Sequence, residues 1–183
     1  DRQIVLKEYE GVSGNLKSRT HDEIQFLREA QITGQLEHPN IIPVYAVSWN
    51  KDGRPYYTMK HIDGDTLAEC IELYHRDNTQ HTIRSMRPLL DIFANVCRAI
   101  SYAHNRGVIH RDLKPANIAI GSYGEVMVID WGLGATPTTL SEATSPKTGS
   151  TSTNHQDPGQ TLHGDYQGTP NYMSPEQATG DTI

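Results

Sequence analysis

His110-Arg111-Asp112-Leu113-Lys114-Pro115-Ala116-Asn117, followed thirteen positions after the asparagine by Asp130-Trp131-Gly132, is the stretch that organises the rest of the chain. Between the two motifs, Ile118 to Ile120 and Val126 to Ile129 read as short strands, and Gly121-Ser122-Tyr123-Gly124 reads as the turn joining them. An antiparallel hairpin returns to where it began. Asn117 enters the first strand and Asp130 leaves the second, so strand pairing at roughly 5 Å sets the two side chains next to each other.

An amide and a carboxylate so placed suit Mg²⁺, which takes hard oxygen ligands and completes its octahedron with water or substrate phosphate. Asp112, five residues before Asn117, remains outside that pair. A carboxylate beside the metal can accept or orient the proton of an attacking hydroxyl, while the metal neutralises charge on a transferred phosphoryl group.

These residues resemble the H-R-D-x-x-x-x-N catalytic loop and, with Trp131 in place of Phe, the D-F-G element of protein kinases. Gly168-Thr169-Pro170 and Ser174-Pro175-Glu176 resemble the same family's substrate-binding loop and A-P-E element, with Ser174 where Ala is usual. The resemblance implies an α+β, bilobal fold. A small antiparallel sheet with one helix (residues 1–59) would be joined by a hinge (60–65) to a mainly helical lobe (66–183), whose activation segment runs from 130 to 176. It further implies ATP and Mg²⁺ as cofactors, with Asp112 as base or orienter, Lys114 assisting at the γ-phosphate, and Asn117 and Asp130 as metal ligands. His110 would be architectural, packed under Trp131.

Upstream, Ile4-Val5-Leu6-Lys7 is a β-type run ending in a lysine that resembles the family's phosphate-contacting strand. A helix is expected from about His21 to Leu36, opened by Thr20 with Glu23 three residues on and closed by His38-Pro39. Its packing face is expected to carry Ile24, Leu27, Ala30 and Gln31. Glu29 on that helix would face Lys7, as in the family's ion pair. Ile41 to Val47 and Tyr56 to Met59 are expected strands around the turn Asn50-Lys51-Asp52-Gly53. By the resemblance, Met59 lies at the back of the nucleotide pocket, and backbone groups of Lys60 and Ile62 bond the adenine. A helix from Thr66 to about His75 and another from about Met86 to Arg106 follow, the second with an apolar stripe of Leu89, Phe93, Val96, Ile100 and Ala103.

Lys114 and Thr169 match the serine/threonine form of the kinase motifs, so protein substrates with Ser or Thr acceptors are implied. Eleven of the eighteen residues 136–153 are Ser or Thr, which leaves few apolar groups to offset ordering and makes 136–163 a candidate autophosphorylation region, Thr161 included. Arg111, directly before Asp112, is expected to capture the resulting phosphate. The motif wording resembles bacterial kinases. A pseudokinase scaffold that binds nucleotide or partners without transfer is the alternative, and the retained Lys7, Glu29, Asp112, Asn117 and Asp130 speak against it.

With 183 residues, 36% of them hydrophobic, the chain can bury a core. A net charge of −6 without a basic run argues against nucleic acid as the main partner. No apolar stretch of about 18 residues exists to span a membrane, and a cytoplasmic domain is expected. Cys70 and Cys97 are expected to be buried thiols. Only six residues precede Lys7, too few for a glycine-rich phosphate loop, and Ile183 comes soon after Glu176. The resemblance therefore implies a fragment that transfers little phosphate by itself.

Overall fold

Runs rich in Val, Ile, Tyr and Trp make the first sheet. In a computed structural model of the chain, describing residues 3–11, 20–77, 82–132, 134 and 168–179, three antiparallel strands form it: Ile4–Glu8 (β1), Val44–Trp49 (β2) and Pro55–Lys60 (β3), in the order β1-β3-β2. The register sets Lys7 opposite Tyr57 and Val5 opposite Met59. The Asn50–Gly53 turn joins β2 to β3, with the Asn50 side-chain oxygen accepting the Asp52 and Arg54 N–H groups at 2.9 Å each.

Helix α1, His21–Gly34, starts where the sequence indicates. The Thr20 hydroxyl accepts the Glu23 N–H at 3.2 Å, and the Thr20 carbonyl accepts that of Ile24. Its packing face differs from the expected one. Glu23, Glu29, Ala30, Ile32 and Thr33 are buried, whereas Ile24 is 39% exposed and Gln31 is exposed. Hydropathy spacing cannot anticipate this, because three polar residues, Glu23, Glu29 and Thr33, lie on the buried side; the Thr33 hydroxyl is satisfied within the helix, donating to the Glu29 backbone carbonyl at 2.8 Å. Phe26 carries the helix onto the sheet, with ring centroids 5.2 Å from Tyr57 and 5.9 Å from Tyr9.

The strand expected from Ile41 begins only at Val44. Ile41 and Ile42 serve another purpose, since Ile41 bridges Val128 and the Ile42 N–H donates to the Val128 carbonyl at 3.1 Å. They tie the first sheet to a second, built from Gly64–Thr66 (β4), Ile118–Gly121 (β5) and Val126–Val128 (β6) in the order β4-β5-β6. The hairpin β5-β6 is the one the opening motif demanded. Strand β4 was not expected. It exists because β5 offers it a partner, and it needs Gly64, where φ is +159° and an added Cβ would lie 2.0 Å from the Ile120 carbonyl oxygen.

Helix α2, Leu67–Asp77, and helix α3, Ile83–Asn105, follow. Thr82 and Ser85 close a reciprocal cap at the start of α3. The stripe expected on α3 holds at Val96 and Ala103, which are buried, and at Ile100, which packs against the core, but Phe93 is 63% exposed and Ala99 is buried instead. The small alanines, fully buried, mark the line of closest approach to the core. That core joins Ile32 and Leu36 of α1's side to Val96, Ala99 and Ala103, to Ile118, Val126 and Val128 of the second sheet, and to Trp131. Cys97 is exposed and Cys70 half-buried, both free, which corrects the expectation of two buried thiols. Short 3₁₀ turns at Pro115–Asn117 and Pro170–Tyr172 and a final helix α4, Pro175–Thr179, complete the described residues. Among them no helix is long and apolar enough to cross a membrane.

Candidate active site

The hairpin β5-β6 sets Asn117 and Asp130 at its open end, where the Ile129 N–H donates to the Asn117 carbonyl at 2.9 Å. Both residues line a cavity of about 390 Å³ between the two sheets, a size typical of small-molecule sites. Its walls hold every residue singled out upstream: Lys7 and Glu29, then Met59, Lys60 and Ile62. Val5, Val44, Ala119 and Ile129 add apolar wall that sequence reading did not single out. The side chains of Lys7, Glu29 and Asp130, which contact one another, make one end of the cavity polar.

At the polar end Lys7 Nζ donates to Glu29 Oε1 at 2.7 Å and reaches Asp130 Oδ1 at 3.5 Å. The Glu29 side chain is 8% exposed and that of Lys7 39%. Tyr57, not anticipated as a site residue, donates its hydroxyl to the same Glu29 oxygen at 2.6 Å. Burial first, and then the neighbouring Glu29 charge, raise the Tyr57 phenol well above its ordinary value, so it remains a donor.

Asp112 and Lys114 lie beyond the cavity wall and connect to it through Asn117. The Asn117 amide nitrogen donates to the Asp112 carboxylate at 3.1 Å and to its carbonyl at 2.9 Å. That fixes the amide's orientation and turns its nitrogen, not its oxygen, toward Asp112. Asp112 Oδ2 also pairs with Lys114 Nζ at 2.7 Å. Its Oδ1 accepts the Thr169 N–H at 3.0 Å and the Thr169 hydroxyl at 2.7 Å, and Lys114 donates to that same hydroxyl at 2.7 Å. Burial pushes the Asp112 carboxyl up, but hydrogen bonds from Lys114 and Thr169, the Lys114 charge and the Asn117 amide outweigh it and hold the group below its ordinary value.

Two non-glycine residues of the motifs adopt left-handed backbone, Arg111 at φ +65° and Asp130 at φ +60°. Such conformations cost about 1–2 kcal/mol each and concentrate at working sites. The surroundings hold them. Gln177 of α4 donates to the Arg111 carbonyl at 2.7 Å. His110, 2% exposed, sits against Trp131 with ring centroids 4.6 Å apart. Its Nε2–H donates to the Ile129 carbonyl at 3.1 Å, and its Nδ1 accepts the Asp112 N–H at 3.3 Å. That pattern belongs to a neutral imidazole, and burial lowers its proton affinity.

No cluster of three or more His, Cys, Asp or Glu side chains capable of holding a metal occurs among the described residues. The donor set nevertheless fits magnesium, which commonly takes one or two carboxylates and draws its other ligands from water and phosphate. Asp130, with a side chain 46% exposed on the cavity, and the oriented Asn117 oxygen are such a pair.

The model of the protein kinase domain matches residues 12–182. The chain belongs to the protein kinase family. Curated relatives include the serine/threonine-protein kinases PknD of Protochlamydia amoebophila, 38% identical over 98% of this chain and 18% of the relative, of Chlamydia trachomatis serovar D, 37% identical over 98% and 20%, and of Chlamydia felis, 36% identical over 98% and 19%. The chain therefore spans about a fifth of the length of these relatives. The matched kinase domain starts after Lys7, so the place of that lysine rests on its contacts with Glu29 and Asp130. Members of the family generally use ATP and Mg²⁺ and act on proteins. The middle of the expected activation segment, 136–163, lies outside the described residues.

Proposed function

We propose that the natural protein is a serine/threonine kinase that transfers the γ-phosphate of ATP to Ser or Thr hydroxyls of proteins. The observation that carries this reading is the fixed Asp112 carboxylate. It is held on one oxygen by Thr169 and on the other by Lys114 and Asn117, beside a cavity whose polar end carries Asp130 and the Lys7–Glu29 pair. Residues 1–59 and 66–183 act as two lobes around a hinge at 60–65. The apolar wall, with Met59 at the back, receives the adenine, the Lys60 and Ile62 backbone bonds its edge, and Lys7 meets the phosphates. Asn117 and Asp130 hold magnesium, which when bound neutralises phosphate charge. A carboxylate held below its ordinary pKa is a weak base, so Asp112 acts chiefly by orienting the attacking hydroxyl, with Lys114 balancing charge beside it.

The Arg111 Nε, buried and without a hydrogen-bond partner among the described residues, supports a phosphate ligand on the activation segment, and 136–163 supplies the acceptors. The kinase domain works in the cytoplasm on this reading. Residues 1–183 alone, with Ile4, Leu6, Leu90 and Phe93 about half or more exposed, are expected to be poorly soluble. The test is transfer of labelled γ-phosphate to a protein substrate by the full-length protein. Asp130→Ala is expected to abolish metal-dependent transfer. Nucleotide binding without ATP consumption in the unsubstituted protein would replace the kinase reading with the pseudokinase scaffold.

A further inference from the structure

Glu29 is a buried carboxylate with a conflict of supply. Its charged partner, Lys7, is partly exposed and has a second acceptor in Asp130, and on the reading above it must also serve a nucleotide phosphate. Each excursion of Lys7 toward those groups would strip a buried anion of its counter-charge, a situation folded proteins avoid. Were Lys7 the sole anchor, α1 would loosen from the sheet whenever the lysine turned away.

Tyr57 supplies an anchor that does not move. It lies on β3, the central strand, directly opposite Lys7, so both side chains leave the sheet on the same face and converge on Glu29 Oε1. The Tyr57 residue is 3% exposed, and its ring also packs on Phe26, one turn before Glu29 on the same helix. Lys7 Nζ stands 5.8 Å from the centre of that ring, so the aromatic face also confines the lysine. The phenol stays protonated and, being enclosed, keeps its hydroxyl on Glu29.

We propose that Tyr57 is a positioning residue for phosphoryl transfer: its hydroxyl latches the Glu29 carboxylate, and with it helix α1, in the lysine-paired position whether or not Lys7 is engaged there. The latch rests on the kinase reading for its purpose but not for its existence. With an aliphatic residue at position 57, the inward position of α1 would depend on Lys7, nucleotide or an outside activator. In this chain the helix is already set.

Two measurements on the full-length protein test this, one of them independent of catalysis. Tyr57→Phe keeps the ring against Phe26 and removes only the hydroxyl. Without nucleotide, amide hydrogen exchange across α1 should quicken about ten-fold or more in Tyr57→Phe although Lys7 is intact, the equilibrium effect of one hydrogen bond to a charged group, and by less in Lys7→Met, where Tyr57 still holds the carboxylate. In phosphoryl transfer, Tyr57→Phe should lower kcat/KM by a similar factor. That loss should shrink in a Glu29→Gln background, where the hydroxyl meets a neutral amide oxygen in place of a charged carboxylate, whereas damage to the fold would persist there. Faster α1 exchange in Lys7→Met with none in Tyr57→Phe would overturn the latch, as would a Tyr57→Phe loss that survives unchanged beside Glu29→Gln. An unsubstituted protein that transfers no phosphate but shows the exchange pattern would sink the kinase reading and leave the latch standing.

Discussion

Glu29 and Asp112 are both carboxylates with little exposure, 8% and 12% for the side chains, each bonded to a lysine at 2.7 Å, yet the two are built differently. Glu29 takes its two donors, Lys7 and Tyr57, on one oxygen, and both arrive from the flat face of a sheet. Asp112 uses both oxygens, with donors from its own loop and from Thr169, 57 residues further on. The first arrangement fixes where a helix sits. The second fixes the direction in which lone pairs point, which is what a group orienting a hydroxyl requires. One site positions an element and the other positions atoms.

If that contrast holds, removing the carboxylates should have unequal consequences. Asp112→Asn is expected to lower kcat by about 10²-fold or more, the scale lost when the contact that orients a reacting group is disturbed. Glu29→Gln should act mainly on nucleotide KM, because it disturbs the placement of Lys7 and not the attacking hydroxyl. Steady-state kinetics of the full-length protein with varied ATP would separate the two. Equal effects on kcat from both substitutions would erase the distinction.

A smaller effect sharpens it. Thr169→Ala removes the hydroxyl shared by Lys114 and Asp112 but leaves the backbone N–H bond to Oδ1. The loss of one charge-assisted hydrogen bond corresponds to about ten-fold or slightly more in kcat, and Thr169→Ser should restore most of it. A Ser variant as poor as Ala would mean that the methyl group's packing, and not the hydroxyl, was responsible.

The same contrast explains what could be read from sequence. The Asp112 side of the site was legible because its donors sit at short, fixed separations, with Asn117 five residues on and a hairpin returning Asp130 to the same place. Thr169 was reachable only through the family pattern. On the Glu29 side, the helix could be phased by its Thr20 cap and Pro39 stop, but its buried face could not, since Glu29 and Thr33 count as polar in any hydropathy pattern. Tyr57 left no signal at all, because an aromatic residue on a strand is ordinary core, and only the register against Lys7 turns its hydroxyl toward the helix. Phe93 misled for a related reason. The apolar residues of α3 cover a wide arc, and Ala99, weakly hydrophobic and fully buried, lies on the core side where Phe93 does not. Strand β4 has no apolar alternation, so its partner β5 defines it.

The weakest expected effect concerns what lies beneath Asp112. His110 is buried and neutral, donating to the Ile129 carbonyl and accepting the Asp112 N–H, so charging it would break that acceptance inside the core. Its folded-state proton affinity is lowered, which means the unfolded chain takes up the proton first as pH falls. The stabilising contribution of neutral His110 is therefore complete above about pH 6.5, the unfolded value, and is lost progressively below it until the folded group titrates as well. Urea unfolding of the full-length protein at pH 7.5 and 5.5 should show a drop in stability at the lower pH. His110→Phe, which keeps a ring against Trp131 but cannot titrate, should show a smaller drop. The variant must start from lower stability at pH 7.5, because it leaves the Ile129 carbonyl and the Asp112 N–H without their partner, so the comparison rests on the difference between the two pH values. An equal drop in both proteins would shift the pH dependence to other groups and leave His110 a packing residue alone.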